Sequence, residues 1–327
     1  MCKAKKRTAV YYNRGVIMYE VINSKNNISL IDNDIYISFI NYLDVREASI
    51  ATYKTGVKRF LLYLMDQEIS APNRQDIINF VSFLETEELK ATTINSYLVA
   101  VKIFFDWLEQ EGLYQNVARR VKAPKVEKTF KKDYLTANQC RRILATIDTS
   151  TEVGRRDYAL LALLLTTGLR TIETVRANEE DLTIRGESTV LYVQGKGKNE
   201  KADYVKIPEQ TEEALRDYLC SRSRPLRKKA PLFTSTSNNN RGERLTTRSI
   251  RSIVKGRFAK AGYISDKLTA HSTRHTAAAL NLIAGGSLEE TSTMLRHAST
   301  ETTKIYSHMI ERDNNESERR VAAAIFA

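Results

Sequence analysis

The sequence predicts a mainly α-helical (α+β) protein with two domains and one small β-sheet. Its 327 residues are about twice the length of a common domain. Apolar residues recur four positions apart in several stretches, the spacing that buries one face of a helix. The stretch from Thr189 to Ile207 instead has two β-rich runs around a turn of Gly, Lys and Asn, which predicts a hairpin.

The first domain is predicted as a helical domain of residues 31–116, which follows a basic lead-in of residues 1–30. Ile35, Phe39 and Leu43 stand four apart and predict its first helix. Ala71-Pro-Asn separates the second predicted helix from the third, and Gly112 ends the fourth. These are predicted over residues 49–64, 77–83 and 92–108, and the aromatic residues of the last one are assigned to the core.

A basic linker is predicted over residues 117–132, because seven basic residues stand against one acid and a proline interrupts the stretch. The net charge of +12 and the pI near 9.5 favour an anionic partner such as nucleic acid. A charged linker can be merely solvated. The more specific hypothesis is that this one wraps a DNA duplex through phosphate contacts.

The second domain is predicted over residues 133–327, with a tail from about residue 310. Thr136 and Gln139 mark the start of one helix. A second helix over residues 155–167 is ended by Gly168 and is followed by Thr-Gly-Leu-Arg-Thr-Ile-Glu, which contains Arg170 and Glu173. The simplest interpretation of these two residues is a surface ion pair. The hairpin follows, and another helix is predicted over residues 245–263.

The stretch from Leu268 to Met309 contains all four histidines of the chain, namely His271, His275, His297 and His308. Gly285-Gly286 ends one predicted helix, and the capping box Ser287-Leu-Glu-Glu starts the next. The layout is therefore a helix over about 272–284, a helix over about 287–296, and a third from near Ser299. His271 and Arg274, three apart at a helix start, can face one anion.

A phosphate suits this cluster better than a metal does. Guanidinium groups match phosphate oxygens two at a time. Zinc remains an alternative, because His271 and His275 have the spacing of two ligands on one helix. The three cysteines are far apart and odd in number, which predicts no disulfide framework and a reducing cytosol. The longest apolar run, Ala159–Leu165, is too short for a membrane span, so no membrane partner is expected.

Several motifs together resemble the tyrosine recombinases, the phage integrase family. These are His-Ser-Thr-Arg-His, Leu-Arg-His-Ala-Ser and the following Tyr306, together with Thr-Gly-Leu-Arg-Thr-Ile-Glu and Gly-Lys-Gly. The resemblance covers about residues 32–310 and implies a helical core-binding domain followed by a mostly helical catalytic domain. Arg296 departs from the family pattern, since a glycine is common there.

The resemblance implies a set of catalytic residues and their roles. Arg170, Arg274 and His297 would bind the scissile phosphate, and Glu173 would support Arg170. His271 would take the proton of the nucleophile Tyr306, and Lys196 would protonate the leaving 5′ oxygen; Lys198 and Lys201 remain alternatives for that lysine. The product would be a 3′-phosphotyrosyl link, formed without metal, ATP or another cofactor.

The implied partner is double-stranded DNA with specific sites, bound by a homotetramer that joins two duplexes through exchange of the C-terminal tail. Accessory DNA-bending proteins could assist, and the protein would act in the cytoplasm at the nucleoid. Candidate DNA contacts are Lys54, Lys58, Lys90, Thr92, Asn95, Lys102, Arg119, Arg120, Lys122 and Lys125.

Three other functions remain open. A type IB topoisomerase would share the chemistry, a helix-turn-helix protein would bind DNA without it, and a nuclease would need a metal.

Overall fold

A computed structural model of the chain describes residues 33–126, 133–195, 200–222, 229–297, 299, 303–306 and 315–326. The predicted lead-in of residues 1–30, the lysines Lys196 and Lys198, and His308 lie outside these residues. Contacts between Cα atoms divide the chain into two compact units, Met1–Lys128 and Thr129–Ala327.

The first unit is a bundle of four helices, as the apolar spacing predicts. A glycine, Gly56, lets the second and fourth helices approach closely, because a Cβ atom there would lie 2.6 Å from the Cβ of Ala100. Phe104, Phe105 and Trp107 are buried in the core, as predicted. The helices are α1 (Asn33–Tyr42), α2 (Glu47–Asp66), α3 (Arg74–Thr86) and α4 (Ala91–Gln110).

The chain after α4 stays on this unit for some distance. Ala118 and Val121 are buried in the same core as the four helices. A free linker can therefore begin only after Val121, later than residue 117, because these apolar side chains hold the backbone to the bundle.

The second unit is built around one helix, α6 (Glu152–Thr167), which is buried along most of its length and apolar on every side from Ala159 to Leu165. Helices on the surface of a domain show an apolar stripe, whereas one that is apolar all round belongs in the interior. The helices around or near it are α5 (Ala137–Ala145), α7 (Thr171–Arg176), α8 (Glu209–Cys220), α9 (Thr247–Lys260), α10 (Ser272–Ile283) and α11 (Leu288–Leu295).

A three-stranded antiparallel sheet follows α7 and precedes α8 in the chain. Its strands are β1 (Leu182–Arg185), β2 (Ser188–Val193) and β3 (Asp203–Lys206), in that order. The β2–β3 pair is the predicted hairpin, with Val190 opposite Lys206 and Val193 opposite Asp203. Strand β1 and helices α7 and α8 were not predicted.

The predicted helix ends of this unit are present in the structure. Gly168 ends α6 with φ of +61°, and the Thr136–Gln139 and Ser287–Glu290 capping boxes start α5 and α11. The last described element is α12 (Ser317–Phe326), none of whose residues is buried. No helix in the described part of the chain is both long and apolar enough to cross a membrane.

Candidate active site

The centre of the site is Arg274, which joins the ends of two helices that are distant in the sequence. It is 2% exposed. Its Nη1 donates to the carbonyl of Gly168, where α6 ends, at 2.7 Å, and its Nη2 donates to the carbonyl of Leu295, where α11 ends, at 2.5 Å. Burial is the main reason that the pKa of Arg274 falls to about 10. The side chain is therefore still cationic at neutral pH.

A buried carboxylate, Glu173, holds Arg170 in the same site. Glu173 is 0% exposed. Its Oε1 accepts a hydrogen bond from Nη1 of Arg170, and its Oε2 accepts one from the backbone N–H of Arg170 and one from Nη2 of Arg296, each at 2.8 Å. The simple surface ion pair is therefore wrong, because the acid lies in the interior and serves two cations.

The charge of Glu173 follows from these contacts. Burial alone would raise the pKa of the carboxyl group, but Arg296 and Arg170 together hold the pKa below its usual value. Glu173 is thus ionised at neutral pH, and it directs the Arg170 guanidinium, whose side chain is 28% exposed.

The backbone of Arg296 ends α11 and places His297. Arg296 has φ of +54° and ψ of +48°, in the left-handed region. Its N–H donates to the carbonyl of Thr293, and the N–H of His297 donates to the carbonyl of Ser292. This pair of bonds is a Schellman motif, which closes a helix and fixes the direction of the next residue.

The imidazole of His297 is half-buried and anchored by Thr303. Its Nδ1 and the hydroxyl oxygen of Thr303 are 2.7 Å apart, and Thr303 is 0% exposed. Burial, followed by the charges of Arg274 and Arg170, lowers the pKa of His297 to about 4. The ring is neutral at neutral pH, so it can hydrogen-bond to a phosphate oxygen without adding charge.

The candidate nucleophile Tyr306 is enclosed. It is 3% exposed and packs in a small apolar cluster with Ala278 and Leu295. Its hydroxyl oxygen and Nδ1 of His275 are 2.7 Å apart, a hydrogen bond. Burial raises the pKa of Tyr306, whereas Arg274 and Arg170 act in the opposite direction. The hydroxyl must leave this enclosed position before it can reach a DNA phosphate.

Two histidines accompany the hydroxyl in different ways. His275 is 7% exposed on α10 and makes the bond to Tyr306, although the sequence indicated it only as a zinc ligand. His271 is exposed where α10 begins, and its ring meets that of His275 edge to face with centroids 4.6 Å apart. The role of His271 as the base stays a prediction.

Of the three candidate catalytic lysines, only Lys201 lies among the described residues. Lys196 and Lys198 lie outside the described residues, so their roles stay predictions. Lys201 lies just before β3 and forms an ion pair with Asp181, with Nζ and Oδ2 2.5 Å apart. Asp181 lies in the 3-10 turn just before β1. A lysine paired with a carboxylate is less available to protonate a leaving group, so this contact favours the other two candidates.

The zinc alternative finds no support in the geometry. The described residues contain no group of three or more His, Cys, Asp or Glu side chains placed to hold a metal ion. Nδ1 of His275, moreover, is already bonded to Tyr306.

In the first unit, several candidate DNA contacts are exposed on α2 and around the start of α4. Lys54 and Lys58 lie one turn apart on α2, in a shallow groove of about 260 Å³ that Arg59 also lines. Lys90 and Thr92 are exposed at the start of α4, and Lys102 is half-buried further along that helix. Their role as DNA contacts stays a prediction.

Two of the candidate DNA contacts have partners within the unit. Asn95 is half-buried and donates through Nδ2 to the carbonyl of Pro124 at 3.3 Å. Arg119 forms an exposed ion pair with Glu109. Arg120, Lys122 and Lys125 are exposed on the segment after α4.

Three contacts of the site were not predicted from the sequence, namely those of His275 with Tyr306, of Thr303 with His297, and of Arg296 with Glu173. The departure of Arg296 from the glycine of the family pattern and the spacing of His271 and His275 were the signals that singled out two of these residues.

Both units match known families of proteins. The Phage integrase family model matches residues 133–312, and the model of the phage integrase N-terminal SAM-like domain matches residues 37–112. Tyrosine recombinase XerC of Bacillus subtilis (strain 168) is 32% identical over 286 residues, which cover 83% of this chain and 90% of the relative. Tyrosine recombinase XerD of Listeria monocytogenes serotype 4b (strain F2365) is 28% identical over 286 residues, with 85% and 94% covered.

A solved structure shares the fold. The XerH site-specific recombinase bound to palindromic difH substrate in a post-cleavage complex superposes with a TM-score of 0.69 at 21% identity, covering 92% of this chain and 91% of that one.

Proposed function

The chain belongs to the phage integrase family of tyrosine recombinases, and from this membership we propose that it cleaves and rejoins double-stranded DNA at specific sites through Tyr306. The observation that carries the assignment is Arg274, whose guanidinium ties the Thr-Gly-Leu-Arg motif to the Leu-Arg-His motif through two backbone carbonyls. A helix-turn-helix protein would need no such buried cation.

The chemistry follows from the groups in the site. The Tyr306 oxygen attacks a backbone phosphorus, the bond to the 5′ oxygen breaks, and a 3′-phosphotyrosyl link forms. Negative charge grows on the two non-bridging oxygens, and fixed donors stabilise it without moving. Arg170 and Arg274 supply positive charge there, and neutral His297 supplies a hydrogen bond.

Two protons must move in this step. The Tyr306 proton goes to an imidazole, with exposed His271 as the base once the hydroxyl has left His275. The leaving 5′ oxygen receives a proton from a lysine of the β2–β3 turn, Lys196 or Lys198. The phosphodiester energy is kept in the new link, so a free 5′ hydroxyl reverses the step without ATP or another cofactor.

Assembly on two duplexes is part of the proposal. Val321, Ile325 and Phe326 are apolar and more than half exposed on α12. Ile325 and Phe326 would dock on a neighbouring subunit and build a homotetramer, a head-to-tail contact that can close into a ring. Exposed basic residues of the first unit and of the segment after α4 would hold the duplex, and accessory DNA-bending proteins could assist. The protein would act in the cytoplasm at the nucleoid.

The phosphate-binding group is tested by Arg170→Ala and Arg274→Ala on a nicked suicide duplex. Loss of a preorganised charge should slow cleavage by about 10²–10³-fold. Single-turnover cleavage is measured with and without EDTA, and we expect the chelator to have no effect. Activity that EDTA abolishes and zinc restores would contradict the proposal and support a metal-dependent nuclease.

A further inference from the structure

Arg296 is a poor choice of residue if only stability matters. Its backbone lies in the left-handed region at φ of +54°, where a non-glycine residue costs about 1–2 kcal/mol. Its Nε is buried and has no hydrogen-bond partner in the described part of the chain, a further cost. Glycine would end α11 in the same conformation with neither cost. Something that only the side chain supplies must offset them.

Within the described residues, the guanidinium of Arg296 makes two hydrogen bonds. Nη1 donates to the carbonyl of Met294 at 2.9 Å, and Nη2 donates to Oε2 of Glu173 at 2.8 Å. The first contact is local to the end of α11. The second reaches α7 and joins the carboxylate that also holds Arg170.

Removing the guanidinium of Arg296 would change what Glu173 does to Arg170. A buried carboxylate needs close compensation of its charge. With Arg296 absent, Arg170 alone would neutralise Glu173, and its guanidinium fork can take both carboxylate oxygens at once. Arg170 would then be turned towards the acid and away from an incoming phosphate.

The charge of the site would change as well. Arg170, Arg274, Arg296 and Glu173 together carry a net charge of two positive. Without Arg296 the net charge is one positive, with the phosphate still to be bound.

We propose that Arg296 is a positioning residue for strand cleavage, which occupies one oxygen of Glu173 so that Arg170 stays directed at the scissile phosphate. The proposal rests on the proposed function of the site and concerns a residue that need not touch DNA itself.

The first test compares Arg296→Gly and Arg296→Lys with the unchanged chain. Cleavage of a nicked suicide duplex is measured in single turnover at saturating protein, and DNA affinity by gel shift. We expect Arg296→Gly to bind DNA within about threefold of the unchanged chain and to cleave at least about tenfold more slowly. Arg296→Lys keeps the charge and should restore part of the rate.

The second test asks whether Arg296 acts through Glu173. In a chain that carries Glu173→Gln, the buried anion is gone, so adding Arg296→Gly should change the cleavage rate by less than about threefold. This cycle also covers the case in which Arg296→Gly alone does not fold, because the double variant leaves no unpaired buried charge.

Glu88→Gly is the matched control. Glu88 has φ of +56°, close to that of Arg296, but it lies in the first unit. The Glu88→Gly variant should cleave the duplex at the same rate as the unchanged chain. The proposal is overturned if Arg296→Gly cleaves as fast as the unchanged chain, or if it slows cleavage equally with and without Glu173→Gln. If the unchanged chain forms no covalent product with any duplex, the proposed function fails instead.

Discussion

Among the single residues of the site, the proposed nucleophile Tyr306 is enclosed, whereas the cations are held in place by hydrogen bonds. A tyrosine hydroxyl with a pKa near about 10 is a weak nucleophile, and burial raises the pKa of Tyr306 further. The cations, in contrast, are already fixed by Gly168, Leu295 and Glu173. If Tyr306 is the nucleophile, it must leave its enclosed position before it can react, whereas the proposed phosphate-binding groups need no rearrangement.

The two histidines can be separated by His271→Ala and His275→Ala. If His271 is the base, its loss should slow cleavage by about 10²–10⁴-fold. His275 bonds to the hydroxyl only in the enclosed position, so its loss should have a much smaller effect. Single-turnover cleavage across a pH series decides between them. An equal or larger loss in His275→Ala would make His275 the base.

At the scale of the elements, the site is made where helices end. Gly168 ends α6, and its carbonyl holds Arg274; Arg296 ends α11 and fixes His297. Gly168 also permits a close approach, since a Cβ atom there would lie 2.5 Å from Cδ2 of Leu295. The ends of these helices thus set the catalytic geometry as well as the fold.

Gly168→Ala should therefore destabilise the second unit and slow cleavage. A side chain at φ of +61° is strained, and the added methyl group meets Leu295. We expect a loss of about 1–3 kcal/mol in the free energy of unfolding, measured with denaturant. Gly186→Ala is the control, because Gly186 has φ of +62° with nothing within 4 Å. Equal losses for the two variants would contradict the packing argument.

The ends of these helices could be predicted wherever neighbouring residues in the sequence mark them. The capping boxes that begin at Thr136 and Ser287 each span four residues, and Gly168 alone marks the end of α6. Helix α7 is one short run of six residues, and β1 is exposed along most of its length, so neither shows a periodic apolar pattern.

Contacts between distant residues could not be predicted in the same way. Arg296 lies 123 residues from Glu173, and Tyr306 lies 31 from His275. The motifs indicated which residue types meet in the site, but the partner of each depends on how α7, α10 and α11 pack. The sequence therefore predicted the members of the site better than their hydrogen bonds.

At the scale of the whole molecule, the exposed apolar residues of α12 are the observation that supports the proposed assembly. Ile325 is 67% and Phe326 is 85% exposed. Burying two such side chains against a partner is worth about 1.5–3 kcal/mol for each. Because α12 follows Tyr306 closely in the chain, docking of the tail on a neighbouring subunit would couple the position of Tyr306 to assembly.

Deletion of residues 319–327 tests the tail. Binding to a single DNA site, measured by gel shift, should be nearly unchanged, whereas pairing of two duplexes in a pull-down should fail. Ile325→Ala combined with Phe326→Ala should reproduce the defect, and Arg319→Ala, which changes an exposed polar residue of the same helix, should not. A truncated chain that still pairs duplexes and exchanges strands at the full rate would exclude tail exchange.

Trapping the covalent product shows whether Tyr306 becomes joined to the 3′ end of cleaved DNA. A nicked suicide duplex that carries the recombination site is incubated with the chain, and the adduct is digested and mapped by mass spectrometry. We expect one nucleotide-linked peptide, containing Tyr306, and no adduct from Tyr306→Phe, which should still bind the duplex. The chain has 16 tyrosines, so the assignment is specific. An adduct on another residue, or one that persists in Tyr306→Phe, would show that Tyr306 is not the nucleophile.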